Sequence, residues 1–205
     1  YSSSKAAMEL AIKSWRSSFC GNLPHQNSRI SIATARAGNV IGGGDWAENR
    51  IIPDVINSLK DNKPVLIRNP RAKRPWQHVL EPLAGYLTLG KNLLEFQMKK
   101  GNKNNPFASS FNFGPKVNSN RSVLELVESL LNHWPGSWKD ISDPNMPSEA
   151  KLLHLVSDKS YQLLEWEPKW NFEETSKITI EWYLKTFNGE SPLQCAINDI
   201  EKYEQ

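Results

Sequence analysis

The sequence predicts an α/β protein built around a parallel β-sheet, and three observations lead to this fold class. A helical pattern over residues 2–19 is followed by a short β-branched segment, residues 29–36, which has the composition of a strand buried on both faces. A glycine-rich turn follows directly at residues 38–45. A helix, a buried strand and a glycine-rich turn in this order are typical of folds with a parallel sheet.

The first helix is predicted from apolar side chains that recur at helical spacing, and the polar segment around Pro24 ends it. A second helix is predicted over residues 51–61, with Pro53 in its first turn, where a missing N–H does no harm. A third covers residues 81–97 and carries on one face Leu83, Leu87, Gly90 and Leu94.

In the second half of the chain, Ser122 and Glu125 have the spacing of a capping box and predict a helix that begins at Val123. The remaining predicted elements are strands at 65–68 and 111–113, a loop at 99–110, and helices at 158–165 and 173–187. Strands are few and helices are many, so we expect further strands of the sheet to precede Tyr1.

The bulk properties exclude several classes of protein. Of the 205 residues, 39% are apolar and 23% are charged, which is ordinary for a globular protein, and the net charge of +3 is too small to indicate a nucleic-acid or membrane partner. Cys20 and Cys195 lie too far apart for a zinc or redox motif, so we expect a cytoplasmic protein. The four histidines, at positions 25, 78, 133 and 154, show no metal-ligand spacing, and no metal is predicted.

Tyr1 and Lys5 are the residues with the clearest chemical potential. They stand four apart on the predicted helix and therefore share one face. A free tyrosine has a pKa of about 10, and a nearby ammonium favours the phenolate, which suits acid/base catalysis at a hydroxyl group. By itself this spacing is common in helices, and a plain surface pair is the more frequent outcome.

The context of this pair resembles the active-site helix and the following strand of the extended short-chain dehydrogenase/reductase family. The resemblance continues along nearly the whole chain. Its strings are Tyr1-Ser2-Ser3-Ser4-Lys5-Ala6-Ala7, Ala35-Arg36-Ala37-Gly38-Asn39-Val40, Gly42-Gly43-Gly44-Asp45-Trp46, Arg74-Pro75-Trp76-Gln77-His78-Val79 and Phe111-Asn112-Phe113-Gly114-Pro115.

The resemblance implies the C-terminal part of a Rossmann-type doubly wound parallel sheet together with a smaller mixed α/β substrate-binding subdomain. It places the end of the NAD-binding domain at residues 1–50, the substrate-binding part mainly at 51–190 and a C-terminal tail at 191–205. It also implies a homodimer that pairs through the helix carrying Tyr1 and Lys5.

The family implies a role for each matching residue. Tyr1 would be the base and acid at the C4 hydroxyl of the sugar, and Lys5 would tune it and hold the ribose of NAD. The nucleotide sugar would contact Asn39 and, through its diphosphate, Arg74, for which a guanidinium is well shaped. Arg50 and Asn118 are further candidates for this pocket.

Within the family, the strings after Asn39 and around Arg74 are most similar to the 4,6-dehydratases that act on CDP-glucose, a reaction of deoxysugar biosynthesis. The implied reaction passes hydride from C4 to NAD, eliminates water across C5 and C6, and returns the hydride to C6. A dehydratase or epimerase acting on a UDP-, dTDP- or GDP-sugar remains an alternative. A further alternative is a catalytically inactive fragment that acts through binding alone.

Several further expectations follow. The residues that grip the phosphates of NAD and the acid and base of the elimination precede the tyrosine in this family, so the chain by itself is expected neither to retain NAD nor to turn over CDP-glucose. The match of residues 42–47 to G-x-G-x-x-A after a strand is a weak dinucleotide signal. Ser148 stands where the family usually has histidine, which leaves that contact open.

Overall fold

The structure is a computed structural model that describes residues 2–27, 29–100, 104–143 and 153–205. Its elements, in chain order, are α1 Ser2–Phe19, β1 Thr34–Ala37, β2 Asn39–Ile41, α2 Ile51–Lys60, β3 Val65–Ile67, β4 Lys73–His78, α3 Leu80–Lys100, β5 Ser110–Phe113, a 3-10 helix Val117–Ser119, β6 Asn120–Ser122, α4 Val123–Leu131, β7 Trp138–Asp140, α5 Asp158–Leu164, α6 Phe172–Phe187 and α7 Pro192–Glu204.

The chain divides into two compact units. Unit 1 contains Tyr1–Ala37, Leu83–Phe113 and Val156–Glu167, and unit 2 contains Gly38–Pro82, Gly114–Leu155 and Pro168–Gln205. The domain bounds predicted from the sequence stay a prediction.

Unit 1 is organised around the parallel pair β1–β5, in which Thr34 lies opposite Ser110 and Ala37 opposite Phe113. Apolar side chains from α3, β5, α5 and the following residues form its core, with ring-edge contacts between Tyr86, Phe113 and Trp166. Gly85 of α3 allows this packing, because a Cβ there would stand 2.3 Å from the Phe113 ring.

Unit 2 contains a three-stranded sheet in the order β2–β4–β6 and a separate parallel pair β3–β7. Strand β4 is parallel to β2 and antiparallel to β6. Helix α6 packs on α4, α7, β2 and β4, so its apolar side chains fill the middle of this unit. Fully buried members of the core are Val55, Ile56, Leu126, Leu130 and Ile180.

The predicted fold class is confirmed: the protein is α/β and contains parallel strand pairs. The predicted capping box is also present, since Glu125 N–H donates to Ser122 Oγ at 3.1 Å and Ser122 N–H donates to Glu125 Oε2 at 2.6 Å. Both contacts join residues three apart, so the sequence pattern alone contains the information that forms them.

The strand predicted at residues 29–36 is shorter and begins later than expected. Regular pairing is limited to Thr34–Ala37, and Ala35 and Arg36 are exposed, so the expectation of burial on both faces is wrong for the described residues. The stripe predicted for the third helix is also turned outward, since Leu87 is 77% exposed and α3 packs through Gly85, Tyr86 and Leu89 instead. A periodic pattern defines a stripe, but it does not say which partner covers it.

Candidate functional site

Of the predicted catalytic pair, the structure describes one residue. Lys5 lies in the first turns of α1 with an exposed side chain, whereas Tyr1 lies outside the described residues. The two remain one helical turn apart in sequence, and their joint role stays a prediction. The position of Ser148 also lies outside the described residues.

Asn39 and Arg74 lie on neighbouring strands of unit 2. Asn39 begins β2 and is in register with Trp76 of β4, and Arg74 comes two residues earlier on β4, opposite Arg121 of β6. Because residues two apart on a strand share a face, the register places Asn39 and Arg74 on the same side of the sheet. Both side chains are half-buried, and the Arg74 guanidinium donates to the Lys73 carbonyl at 2.8 Å.

Arg50 and Asn118 lie at the periphery of this arrangement. Arg50 precedes the first turn of α2, is exposed, and forms an ion pair of 3.3 Å with Asp45. Asn118 is exposed and is the middle residue of the 3-10 helix, which contacts β4 and leads directly into β6. The structure therefore ties Asn118 to the strand that carries Arg74, and ties Arg50 to the turn that follows β2.

His78 closes the carboxyl end of the β2–β4 pair, where it lies opposite Ile41. Its Nδ1 accepts a hydrogen bond from the Leu80 N–H at 3.3 Å, which assigns the proton of the neutral ring to Nε2. Burial lowers the pKa of His78 to about 4, so the imidazole is neutral at physiological pH. Within the described part of the chain, Nε2 has no hydrogen-bond partner, and the ring lies edge-on to Trp170 at 4.9 Å.

The glycine string after β2 is explained by close packing. A Cβ at Gly43 would stand 2.1 Å from the Trp182 ring, one at Gly42 would stand 2.8 Å from Val79, and Gly44 has a φ of +84°. The Tyr183 hydroxyl then fixes this turn by donating to the Asp45 carbonyl at 2.8 Å. These contacts account for the three glycines without a dinucleotide, although residues 42–47 satisfy G-x-G-x-x-A.

The described residues contain neither a helix suited to a membrane nor a cluster of metal ligands. None of the described helices combines the length and apolar character needed to cross a membrane. Among the same residues, no three His, Cys, Asp or Glu side chains are grouped so that they could hold a metal ion.

Comparison with known proteins connects this geometry to a family. The pattern of the "NAD dependent epimerase/dehydratase family" matches residues 1–98. The chain is 38% identical over 205 residues to CDP-glucose 4,6-dehydratase of Salmonella typhimurium, covering 99% of this chain and 55% of the relative. Residues 1–98 belong to this family. A second relative, dTDP-D-glucose 4,6-dehydratase of Bos taurus, is 26% identical over 198 residues, covering 92% of this chain and 48% of the relative.

The chain thus spans about half the length of the curated relatives it matches. Solved structures share the fold of this chain. A dTDP-glucose 4,6-dehydratase from Bacillus anthracis in complex with NAD matches with a TM-score of 0.65 at 20% identity, covering 94% of this chain and 54% of that one. A dTDP-glucose 4,6-dehydratase from Streptomyces venezuelae with NAD bound has a TM-score of 0.68 at 17% identity, covering 94% and 53%.

Sequence reasoning did not single out three polar side chains that organise these units, namely the buried His78 and Glu81 and the half-buried Glu9. Glu9 could have been noticed, because it continues the four-residue spacing from Lys5 on the same helical face. Glu81 gives no signal of this kind, since its partners Lys169, Trp170 and Tyr203 lie far away in sequence.

Proposed function

We propose that the protein containing this chain is an NAD-dependent dehydratase that converts CDP-glucose to CDP-4-keto-6-deoxyglucose. The observation that carries the proposal is a difference in sequence identity. The chain is 38% identical to the CDP-glucose enzyme, in an alignment that covers 99% of the chain, and 26% identical to the dTDP-glucose enzyme of Bos taurus. It favours a dehydratase over an epimerase and the cytidine nucleotide over thymidine.

In this proposal, Tyr1 takes the proton from the C4 hydroxyl of the sugar while hydride leaves the same carbon. Lys5 keeps the phenol acidic by its positive charge and hydrogen-bonds the ribose of the cofactor. When bound, NAD would supply the acceptor for this hydride and the donor for its return. The exposed position of Lys5 near the start of α1 is compatible with contact to a cofactor.

Asn39, Arg74, Arg50 and Asn118 are the residues proposed to hold the nucleotide sugar. The shared face of Asn39 and Arg74 at neighbouring strands supports a common ligand for these two. A guanidinium presents planar, paired donors that match two oxygens of a diphosphate. Asn118 is proposed to contact the same ligand from the turn that leads into β6.

We also propose that the protein forms a homodimer through α1. This helix carries four large apolar side chains that are exposed: Met8, Leu10, Trp15 and Phe19. Such a surface is typical of a protein–protein contact. Sedimentation of the product of the whole gene at several concentrations tests this, and a monomer at all of them would contradict it.

The free cysteines Cys20 and Cys195 support a reducing, cytoplasmic setting.

The test of the activity uses the product of the whole gene, NAD and four substrates: CDP-glucose, dTDP-glucose, UDP-glucose and GDP-mannose. CDP-glucose should give the 4-keto product with a kcat/KM at least about tenfold above the others, a difference of about 1.4 kcal/mol in transition-state binding. Inversion at C4 of a UDP-sugar would support the epimerase alternative instead. Binding of CDP-glucose without turnover would support the inactive alternative.

Matched variants connect the activity to α1. Tyr1→Phe and Lys5→Met should each lower kcat by about a hundredfold or more, as expected for loss of an acid/base group or its charge partner. Lys13→Met is the control, since Lys13 is an exposed lysine two turns further along the same helix. Equal losses in all three variants would contradict the assigned roles.

We propose that the chain of residues 1–205, expressed alone, does not retain NAD during purification. A stoichiometric amount of bound NAD would contradict that.

A further inference from the structure

We propose that Glu9 is a positioning residue that fixes the rotation of α1 on the β1–β5 pair and thereby sets the direction in which Lys5 points. The structural part concerns unit 1 alone. The catalytic consequence rests on the function proposed above.

The packing of α1 is unusual for a helix that lies on a sheet. Among its described residues none is buried, and the half-buried ones, Glu9, Ile12 and Arg16, follow one another at helical spacing. Two of these three are charged. Apolar contacts hold a helix without a strong preference for its rotation, whereas hydrogen bonds require defined directions. Within the described residues of unit 1, the polar contacts of Glu9 and Arg16 are therefore directional restraints on the rotation of α1.

Glu9 binds both strands of the pair through one carboxylate oxygen. Its Oε2 accepts from the hydroxyls of Thr34 and Ser110, each at 2.9 Å. These two residues lie opposite each other in the β1–β5 register, and their own oxygens are 2.9 Å apart. The three oxygens form a compact triangle over the first rung of the pair. The Arg36 guanidinium lies 3.7 Å from the other carboxylate oxygen.

The electrostatic environment keeps this carboxylate charged. Burial acts to raise the pKa of Glu9, but the hydrogen bonds from Ser110 and Thr34 and the charges of Arg36 and Arg16 outweigh it and lower the pKa below its usual value. A charged acceptor makes stronger hydrogen bonds to hydroxyls than a neutral one. The Glu9 clamp, meaning this carboxylate with its hydrogen bonds from Thr34 and Ser110, is therefore present throughout the neutral pH range.

Arg16 makes a second contact of the same kind two turns further along α1. Its guanidinium donates to the Ile32 carbonyl at 3.3 Å and to the Ala108 carbonyl. Each of these carbonyls belongs to a residue two positions before the rung of Thr34 and Ser110. Glu9 and Arg16 thus lie on one face of α1, seven residues apart, and each contacts both the β1 and the β5 segment. Together these contacts oppose rotation of the helix about its axis.

Lys5 precedes Glu9 by four residues, so both side chains belong to the same row on the helix surface. A slip of α1 by one residue position would turn this row by about 100°. Such a turn would move the Lys5 ammonium away from any ligand that it holds in the proposed reaction. The hydrogen bonds of Glu9 to Thr34 and Ser110 therefore fix α1 one helical turn away from Lys5.

The first experiment measures amide hydrogen exchange by mass spectrometry on the chain of residues 1–205. Glu9→Ala should speed exchange in α1 and in the 34–37 segment by about tenfold or more, and leave unit 2 unchanged. Glu9→Gln keeps an oxygen acceptor for the hydroxyls and should stay within about threefold of the natural chain. Glu95→Ala, an exposed glutamate on α3 paired with Lys91 and Lys99, is the control. Unchanged exchange in Glu9→Ala would overturn the clamp.

The second experiment measures kcat, KM and the pH profile on the product of the whole gene, per molecule of bound NAD. Glu9→Ala should lower kcat about tenfold or more, shift the pH at which kcat is half-maximal, and leave KM for the nucleotide sugar within about twofold. Glu9→Gln should restore both kcat and the pH profile. A loss of activity only in proportion to lost bound NAD, with the natural pH profile, would overturn the positioning role. Absence of turnover in the natural protein would refute the proposed function, while the exchange experiment still decides the clamp.

Discussion

Replacing Glu81 by alanine should be among the most damaging single changes in unit 2. Its carboxylate is fully buried and serves three donors from two distant segments. The Trp170 N–H donates at 2.7 Å, the Lys169 N–H at 3.1 Å and the Tyr203 hydroxyl at 2.8 Å. Burial raises the pKa of Glu81, and these hydrogen bonds oppose the rise. One side chain thus joins the start of α3, the segment before α6 and the end of α7.

The magnitude follows from the donors that alanine would leave without an acceptor. A backbone N–H that loses its partner costs up to about 3 kcal/mol when buried, and two part-buried ones are affected here. The lost Tyr203 hydrogen bond and a small cavity add to this, so we expect a loss of about 3–5 kcal/mol in the free energy of unfolding. This is a large part of the total of about 5–15 kcal/mol that a domain possesses. Glu81→Gln keeps one oxygen for the backbone donors and should cost about 1 kcal/mol.

Urea unfolding followed by tryptophan fluorescence is the assay, since Trp170 lies between the rings of His78 and Tyr203 at 4.9 Å and 5.0 Å. Glu128→Ala, an exposed glutamate on α4, is the control and should change the free energy by less than about 0.5 kcal/mol. Tyr203→Phe should cost less in the Glu81→Ala background than alone, with a coupling energy of about 1 kcal/mol. A loss below about 1 kcal/mol in Glu81→Ala would refute the reasoning.

Two further predictions concern unit 2. The pKa of His78 is about 4 in the fold against an ordinary 6.5, so its contribution to stability is complete above pH 6.5 and is lost as the pH falls through 4, by up to about 3 kcal/mol. The urea midpoint should therefore fall less steeply between pH 7 and 4 in His78→Gln than in the natural chain. The exposed-site control His133→Gln should keep the natural slope, and the same slope in His78→Gln would contradict the prediction. Gly43→Ala should lower the melting temperature, because the new Cβ would clash with the Trp182 ring. Gly90→Ala should raise it slightly through helix propensity, because the new Cβ would have no atom within 4 Å. Equal effects of the two substitutions would argue against the close packing.

Local signals in the sequence predicted local structure well. The capping box of Ser122 and Glu125 joins residues three apart, and the predicted helix begins where the structure has it. Strand β4 was not predicted, because its Arg-Pro-Trp-Gln-His string lacks alternation and contains a proline. This strand owes its place to β2 and β6, which lie more than thirty residues away on either side. Pairing between distant segments is not encoded in any short window of sequence.

The candidate site shows the same division. The spacing of Tyr1 and Lys5 and the strings that contain Asn39 and Arg74 were visible in the sequence, and the register of β2 and β4 was not. Glu9 became notable only when the fold brought Thr34 and Ser110 to the same carboxylate. The glycine string shows the reverse case, in which a familiar pattern is explained by Trp182, a residue that is distant in sequence.

The most direct measurement follows one deuterium atom through the reaction. The product of the whole gene would be given NAD and CDP-glucose carrying deuterium at C4, and the product would be examined by NMR and mass spectrometry. The proposed function predicts a 4-keto-6-deoxy product with the deuterium at C6, because the same hydride leaves and returns within one active site. Deuterium retained at C4 of an inverted sugar, or no conversion of CDP-glucose at all, would contradict it.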